Sequence, residues 1–133
     1  MPPIDGLLST RSMTSSRVEA RLEIDERAVD QGGTTPAALH ARMAEAVVMR
    51  APQGGSREHR ENRVICTLHT EVVHLHPGGP VELVAHRVEA GPGGQLWTVE
   101  ATTPHGHLIA HSRVRLVRAA DMAAERQPQT PSM

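Results

Sequence analysis

The sequence predicts an α+β fold, one helix laid across one face of a curved, five-stranded antiparallel sheet, and three observations carry that prediction. Residues 18–24 alternate Val18, Ala20, Leu22 and Ile24 with Glu19, Arg21 and Glu23, the period of two expected of a strand with one wet face. A helix signal follows at Thr35-Pro36. Four β-rich runs then occupy residues 64–75, 81–90, 95–102 and 107–118, divided by His76-Pro77-Gly78-Gly79, Gly91-Pro92-Gly93-Gly94 and Pro104-His105-Gly106. A strand, a helix and four further strands within 133 residues make one domain with room for a core.

Each element has a local reason. Residues 1–16, rich in Ser and Thr, and 119–133, which include Gln127-Pro128-Gln129-Thr130-Pro131, read as flexible tails around a domain at 17–118. After the Asp30-Gln31-Gly32-Gly33 turn, Thr35 can cap a helix whose first position is Pro36, where a missing amide hydrogen costs nothing. The helix is expected to run to about Arg50, with Leu39, Met43, Ala46 and Val47 on one side and Ala41, Glu45 and Val48 on the other. Pro52 and Gly54-Gly55 stop it. The separators between the β-rich runs read as hairpin turns, so those four strands are expected to pair in sequence order as a meander.

Composition removes several classes of function. The net charge is −1, all 14 basic residues are Arg, and Trp97 is the sole aromatic side chain besides histidine. Neither a basic footprint nor a base-stacking platform is available, which argues against nucleic acid as a partner. A single cysteine, Cys66, builds no disulfide framework. Charged residues or histidine interrupt every apolar stretch, so no membrane span is expected. With no basic segment leading into an apolar run at the start, the expectation is a soluble, cytoplasmic protein.

One segment carries chemistry. Pro36-Ala37-Ala38-Leu39-His40-Ala41-Arg42-Met43-Ala44-Glu45 resembles the stretch of hot-dog-fold acyl-CoA thioesterases in which a His-Gly-Gly start is followed two helical turns later by a catalytic Asp or Glu. Val64-Ile65-Cys66-Thr67-Leu68-His69-Thr70 resembles a strand of the fluoroacetyl-CoA thioesterase branch, where a histidine joins the glutamate. The resemblance implies a sheet wrapped around a central helix, Glu45 as nucleophile or general base, His69 as its assistant, and the amides of Ala37 and Ala38 as an oxyanion hole. It further implies an acyl-CoA or acyl-carrier-protein thioester as substrate, no cofactor, and a homodimer or dimer of dimers. Thr35, Arg42, Trp97 and Arg113 are the expected substrate contacts. Two departures stand out: Pro36 and Ala37 replace His and Gly, and no hydroxyl matches the threonine of the fluoroacetyl branch, since Thr34 and Thr35 fall two or three residues early.

Thioester hydrolysis needs a donor at the carbonyl oxygen and a carboxylate that attacks or activates water. An N–H at residue 37 survives the loss of glycine, at a helix start where orphan donors and the dipole favour an oxyanion. Eight residues separate that amide from Glu45, about 12 Å along a helix axis, so a second subunit is expected to close the gap. Simpler roles stand beside these: a solvated surface glutamate for Glu45, a strand histidine satisfied by a neighbour for His69, a core anchor for Trp97 and a solvated arginine face for Arg113, Arg115 and Arg118. Cys66, beside Leu68 and Val72, reads as a small core residue. His74 and His76 share a strand face, but no metal site is expected from two imidazoles beside a turn. The alternatives to hydrolysis are a non-hydrolytic hot-dog protein that binds an acyl ligand or partner, and a hot-dog dehydratase or cyclase acting on a tethered intermediate.

Overall fold

The computed structural model describes residues 8–24, 36–51, 63–75 and 78–119. Strands β1 (Ser9–Met13) and β2 (Arg17–Ile24) precede helix α1 (Pro36–Met49), and β3 (Arg63–Val72), β4 (Gly79–Gly91), β5 (Gly94–Thr102) and β6 (Leu108–Arg118) follow. All six strands form one antiparallel sheet in the order β1-β2-β4-β5-β6-β3.

The alternation in β2 works as its sequence dictates. Val18, Ala20, Leu22 and Ile24 are all buried. They pair across to Ala85, Leu83, Val81 and Gly79 of β4, which places both strands' apolar residues on one face. We call this the inner face. Trp97, Val99 and Ala101 of β5 and Ser112, Val114 and Leu116 of β6 continue it in register. Helix α1 begins at Pro36 and buries Leu39, His40, Met43, Ala44, Val47 and Val48 against that face. Val48 therefore belongs to the buried stripe and not to the side of Glu45. At 100° per residue it extends the stripe of Ala44 and Val47, and the curved sheet reaches far enough around the helix to cover it.

Three further expectations are corrected. The sheet has six strands, not five, because residues 9–13, read as part of a tail, form β1 along the outer edge of β2. An edge strand tolerates Ser, Thr and Arg on both faces, so its composition hides it, and its anchors are the buried Leu8 and cross-strand polar pairs. Ser12 Oγ donates to Glu19 (3.0 Å), and Arg17 Nη2 also donates to that carboxylate (2.6 Å). Arg17 first, then Ser12, holds Glu19 below the usual carboxylate range. Arg50 Nη1 donates to Thr10 Oγ1 (3.1 Å), tying the end of α1 to β1.

The second correction concerns the partner of β3. It pairs with β6, at the far side of the sheet from β2, and never touches β4 as a hairpin would require. Just after β3, the amides of Val73 and His74 both donate to the Ile109 carbonyl of β6. His76 and Pro77 of the expected turn lie outside the described residues. The third is Cys66, which sits at a β-bulge between Ile65 and Thr67 and is half-buried, since the extra residue lifts it from the alternation that would have placed it in the core.

The remaining separators are hairpins: β4 turns into β5 through Pro92-Gly93, and β5 into β6 through residues 103–107. Gly94 has φ +114°, and a Cβ there would collide with the Leu116 carbonyl oxygen and press on Val117 Cγ1 at 3.0 Å. Gly94→Ala combines a disfavoured backbone with that collision, so a loss of about 2–3 kcal/mol is expected. In a thermal melt this is a fall in Tm of roughly 10 °C. Gly93→Ala, with nothing within 4 Å of a Cβ and no positive φ, serves as the neutral control.

Candidate active site

Glu45 stands on the exposed face of α1, turned away from the sheet that covers the opposite face of the helix. Local patterning puts it there: Met43 and Ala44 before it and Val47 and Val48 after it are fully or almost fully buried, which leaves position 45 to point outward. Ala37 and Ala38, also exposed, occupy the first turn of the same helix. Arg42 is exposed one turn N-terminal to Glu45. Thr35 lies outside the described residues.

His69 sits elsewhere. Within β3 the inner positions Leu68, Thr70 and Val72 are half-buried, whereas Thr67, His69 and Glu71 are exposed. His69 pairs in register with Arg113, itself exposed and opposite Thr98, His86 and Arg17 in turn, a row of polar residues across the outer face. The next row holds Glu71 and His111, whose carboxylate and Nε2 are 3.1 Å apart. Glu45 and His69 of one protomer thus lie on opposite sides of the sheet, and the structure does not bring them together. Arg113 shares the face of His69 and not that of Glu45.

Trp97 is fully buried (0% exposed) on the inner face of β5, with its indole N–H donated to Gln95 Oε1 (2.9 Å). This is the place of a core anchor. Among the described residues no group of three His, Cys, Asp or Glu converges as metal ligands would. No described helix is long and apolar enough to cross a membrane.

Sequence reasoning passed over one polar pair on the helix-facing side of the sheet. Thr70 Oγ1 and Ser112 Oγ are 2.8 Å apart, Ser112 is buried, and both occupy inner positions of neighbouring strands next to the free edge of β3. Their signal in the sequence was a hydroxyl at a position where the alternation calls for an apolar side chain. Ser112 interrupts the series from Ala110 to Val114, and Thr70 that from Leu68 to Val72.

Known structures share this architecture over nearly the whole chain. A candidate esterase from Mycobacterium tuberculosis superposes with a TM-score of 0.71 at 22% identity, covering 88% of this chain and 96% of its own. A candidate thioesterase from Syntrophus aciditrophicus gives 0.72 at 16% identity and 88% of each chain. Zebra fish thioesterase superfamily member 2 gives 0.69 at 18% identity, covering 85% of this chain and 81% of its own. The chain has the hot-dog fold. No family model matches the sequence, and neither does any curated protein. Similarity at these identities rests on the course of the backbone: a sheet curled on helix α1, with β3 at one edge and β1 at the other.

Proposed function

We propose that this hot-dog protein is a thioester hydrolase, active as a homodimer or dimer of dimers in the cytoplasm, that cleaves an acyl-CoA or acyl-carrier-protein thioester with Glu45 as the reacting carboxylate. The observation that carries the reading is the placement of Glu45. An acidic side chain at the middle of the helix faces outward from a fold whose named neighbours are thioesterases, at the position where the resemblance expects the catalytic acid.

Geometry supports a shared site. Ala37 and Glu45 are about 12 Å apart along α1, farther than one carbonyl group can bridge. A second subunit that lays its helix start beside Glu45 would bring the Ala37 and Ala38 amides to the thioester oxygen. Neither of the two described cavities is lined by Glu45, Ala37 or His69, as expected of a pocket completed only on association. In the reaction, the carbonyl carbon gains an oxygen from water, directly or after a mixed anhydride with Glu45. The carbon–sulfur bond breaks and the thiol leaves with a proton. The amides offset the charge that develops on the carbonyl oxygen. His69, on the outer face, assists only across the boundary between subunits, and Trp97 contributes by fixing the core rather than by touching the acyl chain.

The test is thiol release from a panel of short, aryl and medium-chain acyl-CoA thioesters, run beside a light-scattering mass. Turnover by a dimeric or tetrameric species supports the proposal. An exclusively monomeric protein, or one that leaves every thioester intact, would falsify it. A second reading, a non-hydrolytic binder, is favoured by one observation: Pro36 and Ala37 replace the His-Gly of the family motif. An acyl-CoA that binds and survives incubation uncleaved would establish it.

A further inference from the structure

The outer face of the sheet carries polar residues in two neighbouring stripes that run across the strands, and the stripes differ in kind. One, set by register from β2 through β4, β5 and β6 to β3, is Arg17, His86, Thr98, Arg113 and His69. All five side chains can donate a hydrogen bond, and the two arginines are permanent cations. The stripe beside it, two residues along each strand, is Glu19, Val84, Glu100, His111 and Glu71. Three of these five are carboxylates.

Within one copy the ends of the stripes are answered and the middle is not. Arg17 Nη2 donates to Glu19 at 2.6 Å, and Glu71 stands 3.1 Å from His111 Nε2. Glu100 and Arg113 are exposed on the neighbouring strands β5 and β6, and among the described residues neither has an ion-pair or hydrogen-bond partner. A second copy can supply both. A two-fold axis along the boundary between the stripes, perpendicular to the strands, turns a second sheet face to face with the first and reverses its strands. Each donor then stands over the residue two places away in the same strand of the second copy: Arg17 over Glu19, Thr98 over Glu100, His69 over Glu71. Arg113 falls on His111, between Glu100 and Glu71 of that copy. An axis parallel to the strands would stack each stripe on its own kind, so charge selects between the two arrangements.

We propose that this outer face is an interface between two copies of this chain, in which Arg113 of each copy enters the carboxylates of the other. Sheets packed face to face keep their strands aligned within about 30°, which lets five pairs of strands meet. At about 4.8 Å between strands and about 3.4 Å per residue, the two stripes and one row on either side cover roughly 20 Å by 20 Å, at the small end of specific interfaces. Its groups are polar, so the association is salt-sensitive and its specificity electrostatic. The inference rests on the sheet alone and not on the hydrolase reading. Beside a dimer joined at its helices, this second interface makes the dimer of dimers.

The mass of the full-length protein is measured by sedimentation velocity in about 50 mM and about 1 M sodium chloride, without substrate. The higher salt is expected to halve it, whether the starting species is a tetramer or a dimer. Glu100→Arg and Arg113→Glu, each alone, set like charges against one another twice, and each should weaken association at least about tenfold and halve the mass at low salt. Mixed in equal amounts, the two variants offer each other the native contact and its charge-swapped counterpart, so the larger species should return. A change in fold caused by either substitution would not be repaired by mixing. Both positions are exposed, and the circular dichroism of each variant should match the wild type. The proposal is overturned if the wild type is monomeric, if neither salt nor either variant lowers its mass, or if the mixture stays as small as its parts. Thiol release has no part in this readout, so an inactive protein still decides it and the two proposals fail separately.

Discussion

Glu45→Gln is expected to lower thioester turnover by about a thousandfold, the size of effect that removing a general base or nucleophile produces. The substitution keeps the length and planar shape of the side chain and removes its charge and its capacity to take a proton. Position 45 is exposed on α1, so stability should change by no more than about 0.5 kcal/mol. Circular dichroism and light scattering on the same sample should match the wild type, which assigns any loss of rate to chemistry. A single turnover in ¹⁸O-labelled water then separates the two roles. If Glu45 activates water, the label appears only in the released acid. If Glu45 attacks, a share of the label enters the Glu45 carboxylate, read by mass spectrometry of the peptide. Turnover unchanged in Glu45→Gln would remove Glu45 from the reaction.

Trp97→Ala should be the most damaging single change to the fold. Among the described residues Trp97 is the largest fully buried side chain; it belongs to the core cluster that includes α1, and its register partners are Arg87 on β4 and Val114 on β6. Truncating a buried aromatic costs about 3–5 kcal/mol, the lost transfer energy plus the cavity left behind. Against a total stability of about 5–15 kcal/mol, the variant should be marginal at 37 °C. Since Trp97 is the only tryptophan, its fluorescence reports unfolding of the wild type, while the variant must be followed by circular dichroism. Trp97→Phe isolates the polar part: it keeps most of the ring, forfeits the bond to Gln95, and should cost about 1 kcal/mol beyond the loss of area. Equal stability of Trp97→Ala and wild type in urea would contradict this view of the core.

The sequence made some elements legible and concealed others for physical reasons. In β2 the apolar alternation is strict, and all four of Val18, Ala20, Leu22 and Ile24 are buried. At α1 the Pro36 start is local chemistry, because proline fits the first helical position. What escaped is what only tertiary context decides. A polar edge strand such as β1 has no periodic signature, and the partner of β3 depends on how the sheet curls and not on the turn that follows it. For the site, the outward direction of Glu45 was readable from its helix alone. The face of His69 was not, since Ile65, Cys66 and Thr67 surround a bulge that shifts the alternation, and only pairing with Arg113 fixes its side.

The pairing of β3 with β6 and of β2 with β4 also sets how this chain reaches its fold. Arg17 finds His86 across 69 positions, and Arg63 finds Arg118 across 55, so two of the five strand pairings are closed by contacts remote in sequence. Loops of that size must be ordered before any pairing rewards them, which places such chains among the slow folders, on the order of milliseconds to seconds. During synthesis β2 has no inner neighbour until β4 has emerged, and the apolar face of α1 has no complete cover until β6, which joins β3 to β5, is made. The half-built protein therefore exposes both a strand edge and an apolar helix face for as long as the last strand is missing, and aggregation is a race against the arrival of residues 108–118.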